Sequence, residues 1–203
     1  MNEVANNNKR IAKNTLFMYI RLMLVLCINL FTVRIVLQAL GEVDYGLNNV
    51  VGGVVSMFSF ISTTLAGASM RFFSFEIGKK DQEGLKKYFA VTFWCYVFLC
   101  LIIVILAETI GLWFVANKLV IPADRMTAAM WVYQFSILGS VLSFLTIPFN
   151  SLILAHEKMD FYAYLGIAEV VLKLMVAYIL FVSDGDRLIL YAILMFLSSG
   201  VVS

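Results

Sequence analysis

The sequence has 203 residues, of which 62% are apolar and only 14% are charged, and its formal net charge is +2. Soluble domains are about 45–50% apolar and about 25% charged, and a soluble fold of this size has too little interior for so much apolar surface. The composition therefore excludes an ordinary soluble protein and predicts an all-α membrane protein. The small net charge gives no electrostatic footprint for nucleic acid.

Six apolar stretches predict a bundle of about six transmembrane helices, because one crossing of the bilayer takes about 20 apolar residues. The first stretch is too long for a secretion signal and has no cleavage pattern, so it is expected to be retained. We predict a cytoplasmic tail at 1–13 and a single transmembrane domain at 14–203. Its predicted spans are 14–40, 47–70, 88–114, 127–154, 161–182 and 188–203, the last of them truncated.

Glycine, aspartate and proline residues mark expected helix ends. Gly78 is expected to end the helix that extends from the second span, and Asp81 to cap the next helix. Pro122 suits the first turn of the helix that becomes the fourth span. Pro148 lies inside that span, where it is expected to kink the helix or unwind its end.

The orientation follows from the excess of Lys and Arg in cytoplasmic connectors. Connectors expected on one side carry nine basic residues, whereas those expected on the other side carry three. The nine are Lys9, Arg10, Lys13, Arg71, Lys79, Lys80, Lys86, Lys87 and Lys158, and the three are Lys118, Arg125 and Arg187. The N-terminus is therefore predicted to be cytoplasmic.

Three basic residues fall inside the predicted spans, and a charge in a membrane span is a functional hypothesis by default. Arg21 and Arg34 lie near enough to the ends of the first span to extend to the interface or to form structural ion pairs. Glu108 is expected at a height similar to that of Arg34, so a structural Arg34–Glu108 pair is possible.

Lys173 lies near the midpoint of the fifth span, too far from either surface to reach water easily. Glu169 precedes it by one helical turn on the same face, in the favourable order for an ion pair. Either the two side chains neutralise each other and hold helices together, or they line a polar cavity in the middle of the membrane. The second interpretation is favoured.

Two spans carry a stripe of small residues at helical spacing. The stripes are Gly52, Ser56, Ser59, Thr63 and Ala66 in the second span, and Ser136, Ser140 and Ser143 in the fourth, extended by Asn150. Small residues at this spacing let helices approach closely. Helix packing is favoured over cavity lining.

Signatures of an enzyme are missing from the sequence. His156–Glu157 resembles the start of a zinc-binding helix motif, but the chain has one histidine. No glycine-rich phosphate loop precedes a lysine, and no nucleophile is placed with a base. The three cysteines lie in apolar runs and are expected to be small core residues. We therefore predict no enzymatic activity, no metal site and no cofactor.

Several segments resemble the Wzx-like oligosaccharide flippases of the multidrug/oligosaccharidyl-lipid/polysaccharide exporter superfamily. The segments are Arg34-Ile-Val-Leu-Gln-Ala-Leu-Gly41 with Asp44-Tyr45-Gly46, then Ser69-Met70-Arg71-Phe72-Phe73-Ser74, 131–136, and His156-Glu157-Lys158-Met159-Asp160 followed by Glu169 and Lys173-Leu174. The resemblance covers nearly the whole chain and lies in the order and spacing of these segments.

The resemblance implies a function. Members of the family move undecaprenyl-diphosphate-linked glycans across the bacterial inner membrane for surface polysaccharide and O-antigen synthesis. They alternate access to a cavity, often basic, between two six-helix lobes. Arg21, Lys173, Glu169 and Arg34 are the residues expected to bind substrate there. A basic cavity suits the diphosphate because fixed cations offset the cost of bringing phosphate charge into low dielectric.

The resemblance also implies partners, because family members have about twelve to fourteen spans and this sequence has about six. The chain is expected to be the N-terminal lobe, working with a C-terminal lobe or a second copy, and glycan polymerase or assembly proteins are possible partners. Two alternatives remain open. One is a cation-coupled multidrug exporter of the same superfamily, and the other is a membrane scaffold for glycan assembly that transports nothing.

Overall fold

Helices make up almost all of the chain in the computed structural model, which describes residues 2–57, 59–183 and 185–202, and no strand is present among them. Side chains are described for residues 12–57, 60–183 and 185–201. The predicted tail charges Lys9 and Arg10, the side chain of Ser59, and the predicted end of the sixth span at Ser203 lie outside these ranges.

Seven α-helices follow one another in the described part of the chain. They are α1 (Asn2–Ser56), α2 (Ser59–Lys79), α3 (Gln82–Leu106), α4 (Leu112–Asn117), α5 (Met126–Ala155), α6 (Met159–Val182) and α7 (Arg187–Val202). A π-helical turn, Ala107–Gly111, joins α3 to α4 without a break, and a 3₁₀ turn, Ala123–Arg125, leads into α5.

Four helical stretches are long and apolar enough to cross a membrane, namely Ala12–Ser56, Gln82–Asn117, Ala123–Ala155 and Met159–Val182. A shorter apolar helix, Arg187–Val201, follows them. Large apolar side chains such as Leu30, Trp94 and Met57 are mostly exposed on the outside of the bundle. A soluble protein would bury such side chains, whereas lipid accommodates them. The predicted class of all-α membrane protein is confirmed.

The chain reverses direction within α1, at Gly41. This glycine has φ 79° and ψ 170°, a backbone conformation that glycine adopts without the steric cost of a side chain. Asn29 and Asn49 line the same cavity, although twenty residues of straight helix would separate them by about 30 Å. The segments before and after Gly41 are therefore antiparallel neighbours.

One end of the bundle carries the connectors around Gly41, before α5 and before α7, and is called the Asp44 end. Arg125 Nη2 lies 3.0 Å from Asp44 Oδ2, and Arg125 Nη1 lies 3.4 Å from Asp186 Oδ2. Arg187 Nη1 donates to the carbonyl of Ala39 at 3.0 Å. These contacts join three connectors that the predicted topology placed on the same side.

The opposite end carries the α2–α3 and α5–α6 turns and is called the Asp81 end. Lys80 and Glu157 have positive φ there, 59° and 55°. The amides of Lys80 and Asp81 donate to the carbonyls of Ile77 and Glu76, which is the hydrogen-bond pattern of a Schellman turn. Asp81 then caps α3 by accepting from the amides of Glu83 and Gly84, as predicted.

The main apolar core lies between the second half of α1, the π-helical turn, α5 and α7. Its fully buried members include Val51, Ala107, Val132, Tyr133 and Leu188. A smaller cluster joins Cys100 and Ile103 of α3 to Phe144 of α5. Helices α1, α5 and α7 are thereby held beside the polar space described below.

Several predicted boundaries were wrong. The second span was expected as one stretch at 47–70, but α1 ends at Ser56 and a separate helix runs to Lys79. Gly78 does not end that helix, because Lys80 adopts the left-handed conformation two residues later. The α2–α3 connector is correspondingly only Lys80 and Asp81. Of the two outcomes expected at Pro148, a kink or an unwound end, the unwound end is wrong, because α5 continues through the proline to Ala155.

The expectation for the cysteines was correct for only one of them. Cys100 is buried, whereas Cys27 and Cys95 are exposed. Both exposed thiols lie on helix faces that no other helix covers. An apolar run in a membrane helix does not distinguish a face covered by protein from a face covered by lipid, because both favour the same residues.

Candidate functional site

Lys173 and Glu169 form an ion pair on α6. Lys173 Nζ lies 2.6 Å from Glu169 Oε1, and both side chains are partly exposed within the bundle. The i, i+4 spacing puts the two groups on one helical face, so the pair follows directly from the local sequence. The predicted pairing is present, and its surroundings decide what it can do.

A cavity of about 210 Å³ lies on the Glu169 side of this pair, between α5, α6 and α7. Besides the pair, its lining is made of small polar side chains, which are Ser143, Thr146, Asn150, Ser198 and Ser199. The carboxylate and the ammonium group are therefore the formal charges in a space otherwise lined by hydroxyl groups and one amide.

A second cavity, of about 220 Å³, lies between α1, α6 and α7 and also includes Lys173 in its lining. Its other polar residues are Asn29, Thr32, Tyr45, Asn48, Asn49 and Tyr191. This cavity contains amide and hydroxyl groups but no acidic residue. Lys173 lines both cavities, so its ammonium group can contact a molecule bound in either of them.

A third cavity, of about 290 Å³, connects the lining of the other two. It shares Asn48, Tyr191 and Met195 with the second cavity, and Ser143 and Ser199 with the first. Together the three form one partly open region lined by α1, α5, α6 and α7, in which apolar residues such as Val36 and Phe135 stand between the polar ones. It is called the central polar region below. Lys173 and Glu169 lie within its lining.

The stripes of small residues contribute both to this region and to helix packing. Gly52 and Ser56 of α1 and Ser136, Ser140 and Ser143 of α5 line the third cavity. A side-chain carbon at Gly52 would lie 3.8 Å from Ser136 Oγ, an ordinary packing distance. Farther along, Ser151 donates to the carbonyl of Ala66 at 3.4 Å. Cavity lining, the less favoured interpretation from the sequence, is thus present together with helix contact.

Arg21 lies outside the central polar region. Its guanidinium group lies over the ring of Tyr162, with 4.3 Å between the guanidinium carbon and the ring centroid. It also contacts Gly166 of α6 so closely that a side chain there would meet Arg21 Nε. That Nε is buried and has no hydrogen-bond acceptor. Arg21 therefore joins α1 to the beginning of α6, near the Asp81 end.

The possible Arg34–Glu108 pair is not formed. Arg34 is exposed on α1 and lines none of the cavities of the central polar region. Glu108 Oε2 accepts instead from Gln134 Nε2 of α5 at 3.3 Å. Glu108 belongs to the π-helical turn, which packs on α5. Glu108 is thus paired with α5, whereas Arg34 stays on an exposed face of α1.

The central polar region contains residues that the sequence did not single out, above all Asn29, Asn48 and Tyr191. Asparagines in an apolar run carry a signal, because a buried amide in a membrane helix requires polar partners. That signal does not indicate which asparagines meet. Among the described residues, no group of three or more His, Cys, Asp or Glu side chains could hold a metal ion.

No family model, curated protein or solved structure matches the chain. The class that the fold defines is that of a helical membrane protein with a partly open, partly polar region between its helices.

Proposed function

We propose that the chain is one lobe of a membrane transporter that moves undecaprenyl-diphosphate-linked oligosaccharide across the bacterial inner membrane. The observation that carries the proposal is the position of Lys173, between two polar cavities and paired with Glu169 at 2.6 Å. A charged pair in a membrane span is costly to keep. The pair supports transport because a charged substrate crossing the membrane needs charged or polar residues along its path. A helical bundle that transports nothing does not need them.

The proposed topology has six spans. The two antiparallel segments of α1 provide the first and second spans, and α2 continues the second span. Helix α3 together with α4 provides the third span, and α5, α6 and α7 provide the fourth, fifth and sixth. The ion pairs of Arg125 at the Asp44 end support it, because they bring together connectors that alternate in a six-span chain. The excess of basic residues at the Asp81 end favours the cytoplasm for that end.

The chemistry of the central polar region fits a substrate with an anionic group and a polar, hydroxyl-rich part. Lys173 can leave Glu169 for a diphosphate oxygen, and the surrounding serine, threonine and asparagine side chains can exchange hydrogen bonds with sugar hydroxyl groups. Alternating access requires two lobes facing each other, so transport by this chain requires a partner lobe or a second copy. Glycan polymerase or assembly proteins are further proposed partners.

The roles proposed for the four predicted site residues differ. Lys173 and Glu169 would contact the substrate, because they line the central polar region. Arg21 would hold α1 against α6, and its contact with Tyr162 supports that role over substrate binding. Nothing in the surroundings of Arg34 favours a substrate contact.

The test uses cells of the source organism in which the gene is deleted. Undecaprenyl-linked glycans are extracted and surface polysaccharide is measured, first in the deletion strain and then after complementation with Lys173→Leu, Lys173→Arg or unchanged protein. We expect lipid-linked glycan to accumulate in the deletion strain. With Lys173→Leu, the amount of surface polysaccharide restored should be about one tenth of that restored by unchanged protein, which corresponds to the loss of roughly one charge-assisted contact. With Lys173→Arg, the amount restored should lie between these two.

Lys87→Leu is the matched control, because Lys87 is an exposed lysine of α3 outside the central polar region. Immunoblots establish that all variants reach the membrane in equal amounts. Unchanged lipid-linked and surface pools in the deletion strain would contradict the flippase proposal and favour drug export. Full restoration by Lys173→Leu would favour a scaffold that transports nothing.

A further inference from the structure

A fourth cavity differs from the central polar region in chemistry and in position. It measures about 650 Å³ and lies between the second half of α1 and the continuous helix formed by α3, the π-helical turn and α4. Along α1 it is lined by Asn49, Gly53 and Met57, and along the other wall by Leu106, Ile110 and Phe114. It is called the apolar groove below.

The apolar groove is open to the space that the bilayer occupies. Met57 is 79% exposed and Ile110 is 63% exposed, so its edges are not covered by another helix. Gly53 leaves it wide, because no atom lies within 4 Å of the position that a side-chain carbon would occupy there. An elongated apolar molecule can therefore enter from the side rather than through an end.

The dimensions of the groove match one leaflet. Met57 lies eight positions after Asn49, and Phe114 lies eight positions after Leu106. Each wall is therefore about 12 Å of helix long. The hydrocarbon core is about 30 Å thick, so one leaflet is about 15 Å. The walls are antiparallel, with Asn49 and Phe114 towards the Asp44 end and Met57 and Leu106 near the membrane centre.

A basic residue stands beside the groove in the chain, since Lys118 directly precedes Leu119, which lines the groove at the Asp44 end. Lys118 directly follows α4, and its amide donates to the carbonyl of Phe114 at 2.9 Å. Its ammonium group lies 5.6 Å from the ring centroid of Trp113. Within the described residues Lys118 forms no ion pair with an acidic side chain. An amphipathic Trp next to a Lys is typical of the interface between hydrocarbon and headgroups.

We propose that the apolar groove holds one acyl chain of an anionic phospholipid from the leaflet at the Asp44 end, with the phosphate of its headgroup at Lys118. The apolar walls bind the chain, Asn49 lies at the depth of its ester groups, and Lys118 supplies the preference for negative charge. The inference does not rest on the proposed transport, because the groove and the central polar region share only Asn49 in their linings. The bound lipid completes the packing between α1 and the π-helical turn.

The test measures lipid retention by the purified chain with native mass spectrometry, after incubation in detergent with phosphatidylglycerol or phosphatidylcholine. We expect one phosphatidylglycerol to be retained about tenfold more strongly than phosphatidylcholine by the unchanged protein. Gly53→Phe places a ring in the groove, since the space around a side-chain carbon at Gly53 is open, and should lower retention of both lipids by about tenfold or more. Lys118→Gln should abolish the preference for phosphatidylglycerol while phosphatidylcholine retention stays the same.

Gly67→Phe is the matched control, since Gly67 is an exposed helical glycine of α2 with equally open space around it. Helicity and thermal unfolding of all variants are compared by circular dichroism, and Gly53→Leu, a smaller change, replaces Gly53→Phe if the latter unfolds. Equal retention by the Gly53 and Gly67 variants would overturn the groove as the site. Displacement of phosphatidylglycerol by equimolar undecaprenyl phosphate would overturn a phospholipid as its occupant.

Discussion

Among single residues, Tyr133 and Gly111 depend on each other most closely. The hydroxyl group of Tyr133, a fully buried side chain, donates to the carbonyl of Ala107 at 2.7 Å. Ala107 begins the π-helical turn, and its carbonyl also accepts from the amide of Leu112, five residues later, as in a π-helix. A side-chain carbon at Gly111 would meet the same hydroxyl group. The hydroxyl group of Tyr133 thus hydrogen-bonds the start of the π-helical turn at Ala107 and leaves room for only a glycine at Gly111.

This geometry predicts a non-additive pair of substitutions. Tyr133→Phe should lower the free energy of unfolding by about 1 kcal/mol, because the carbonyl of Ala107 loses one of its two donors and keeps only the amide of Leu112. Gly111→Ala should cost a similar amount in the unchanged protein, but close to nothing in the Tyr133→Phe background, where the oxygen that the new methyl group would meet is absent. Reversible unfolding in mixed detergent measures all four proteins.

The cycle has an internal control at Gly53, whose surroundings are open. Gly53→Ala should have the same effect in both backgrounds. Equal costs of Gly111→Ala with and without the Tyr133 hydroxyl group would show that the steric contact does not govern this turn, since independent sites give additive changes in free energy.

At the scale of elements, the turns at the Asp81 end are closed by residues that are unusual for their conformation. Lys80 occupies the left-handed position of the turn after α2, where glycine is the preferred residue. A side chain in this conformation costs about 1–2 kcal/mol. The turn persists because the amides of Lys80 and Asp81 satisfy two helix carbonyls, and because Asp81 caps α3 directly afterwards.

We therefore expect Lys80→Gly to raise the free energy of unfolding by about 1 kcal/mol. Lys80→Ala is the matched control, because it removes the same charge and keeps the conformational cost. It should leave stability nearly unchanged. Unfolding in mixed detergent distinguishes the two, and an equal gain for both variants would mean that the charge of Lys80, rather than its backbone conformation, is the destabilising factor.

At the scale of the whole molecule, the charged side chains are arranged differently at the two ends of the bundle. At the Asp44 end, Arg125 joins the buried Asp44 to Asp186, and opposite charges are paired across connectors. At the Asp81 end, most of the basic side chains are exposed and lie along α2, α3 and the turns. Such an asymmetry is what the bias of Lys and Arg towards the cytoplasm produces.

Labelling of single cysteines tests the orientation. In a protein with Cys27, Cys95 and Cys100 replaced by alanine, a cysteine at position 118 or position 80 is treated with a membrane-impermeant maleimide in intact cells. We expect Lys118→Cys to react in intact cells and Lys80→Cys to react only after the membrane is opened. Reaction of both in intact cells, or the reverse pattern, would contradict a cytoplasmic Asp81 end.

The sequence by itself determined the membrane class, the approximate positions of most helices, the cap at Asp81 and the pairing of Glu169 with Lys173. Each of these depends on composition or on residues within one turn of helix, where the geometry is local. The break after Ser56 and the π-helical turn were not predicted, because neither has a proline or a comparable local signal. Whether Lys173 binds the proposed substrate stays a prediction.

Only the tertiary structure decided which residues meet across helices. It separated Arg21 from the central polar region, left Arg34 without Glu108, and brought Asn29 and Asn49 into one cavity. The physical reason is that helices in lipid are apolar on nearly every face. Their hydrophobic periodicity therefore does not indicate which face packs against protein, and that choice is made by close contact and polar pairing between helices.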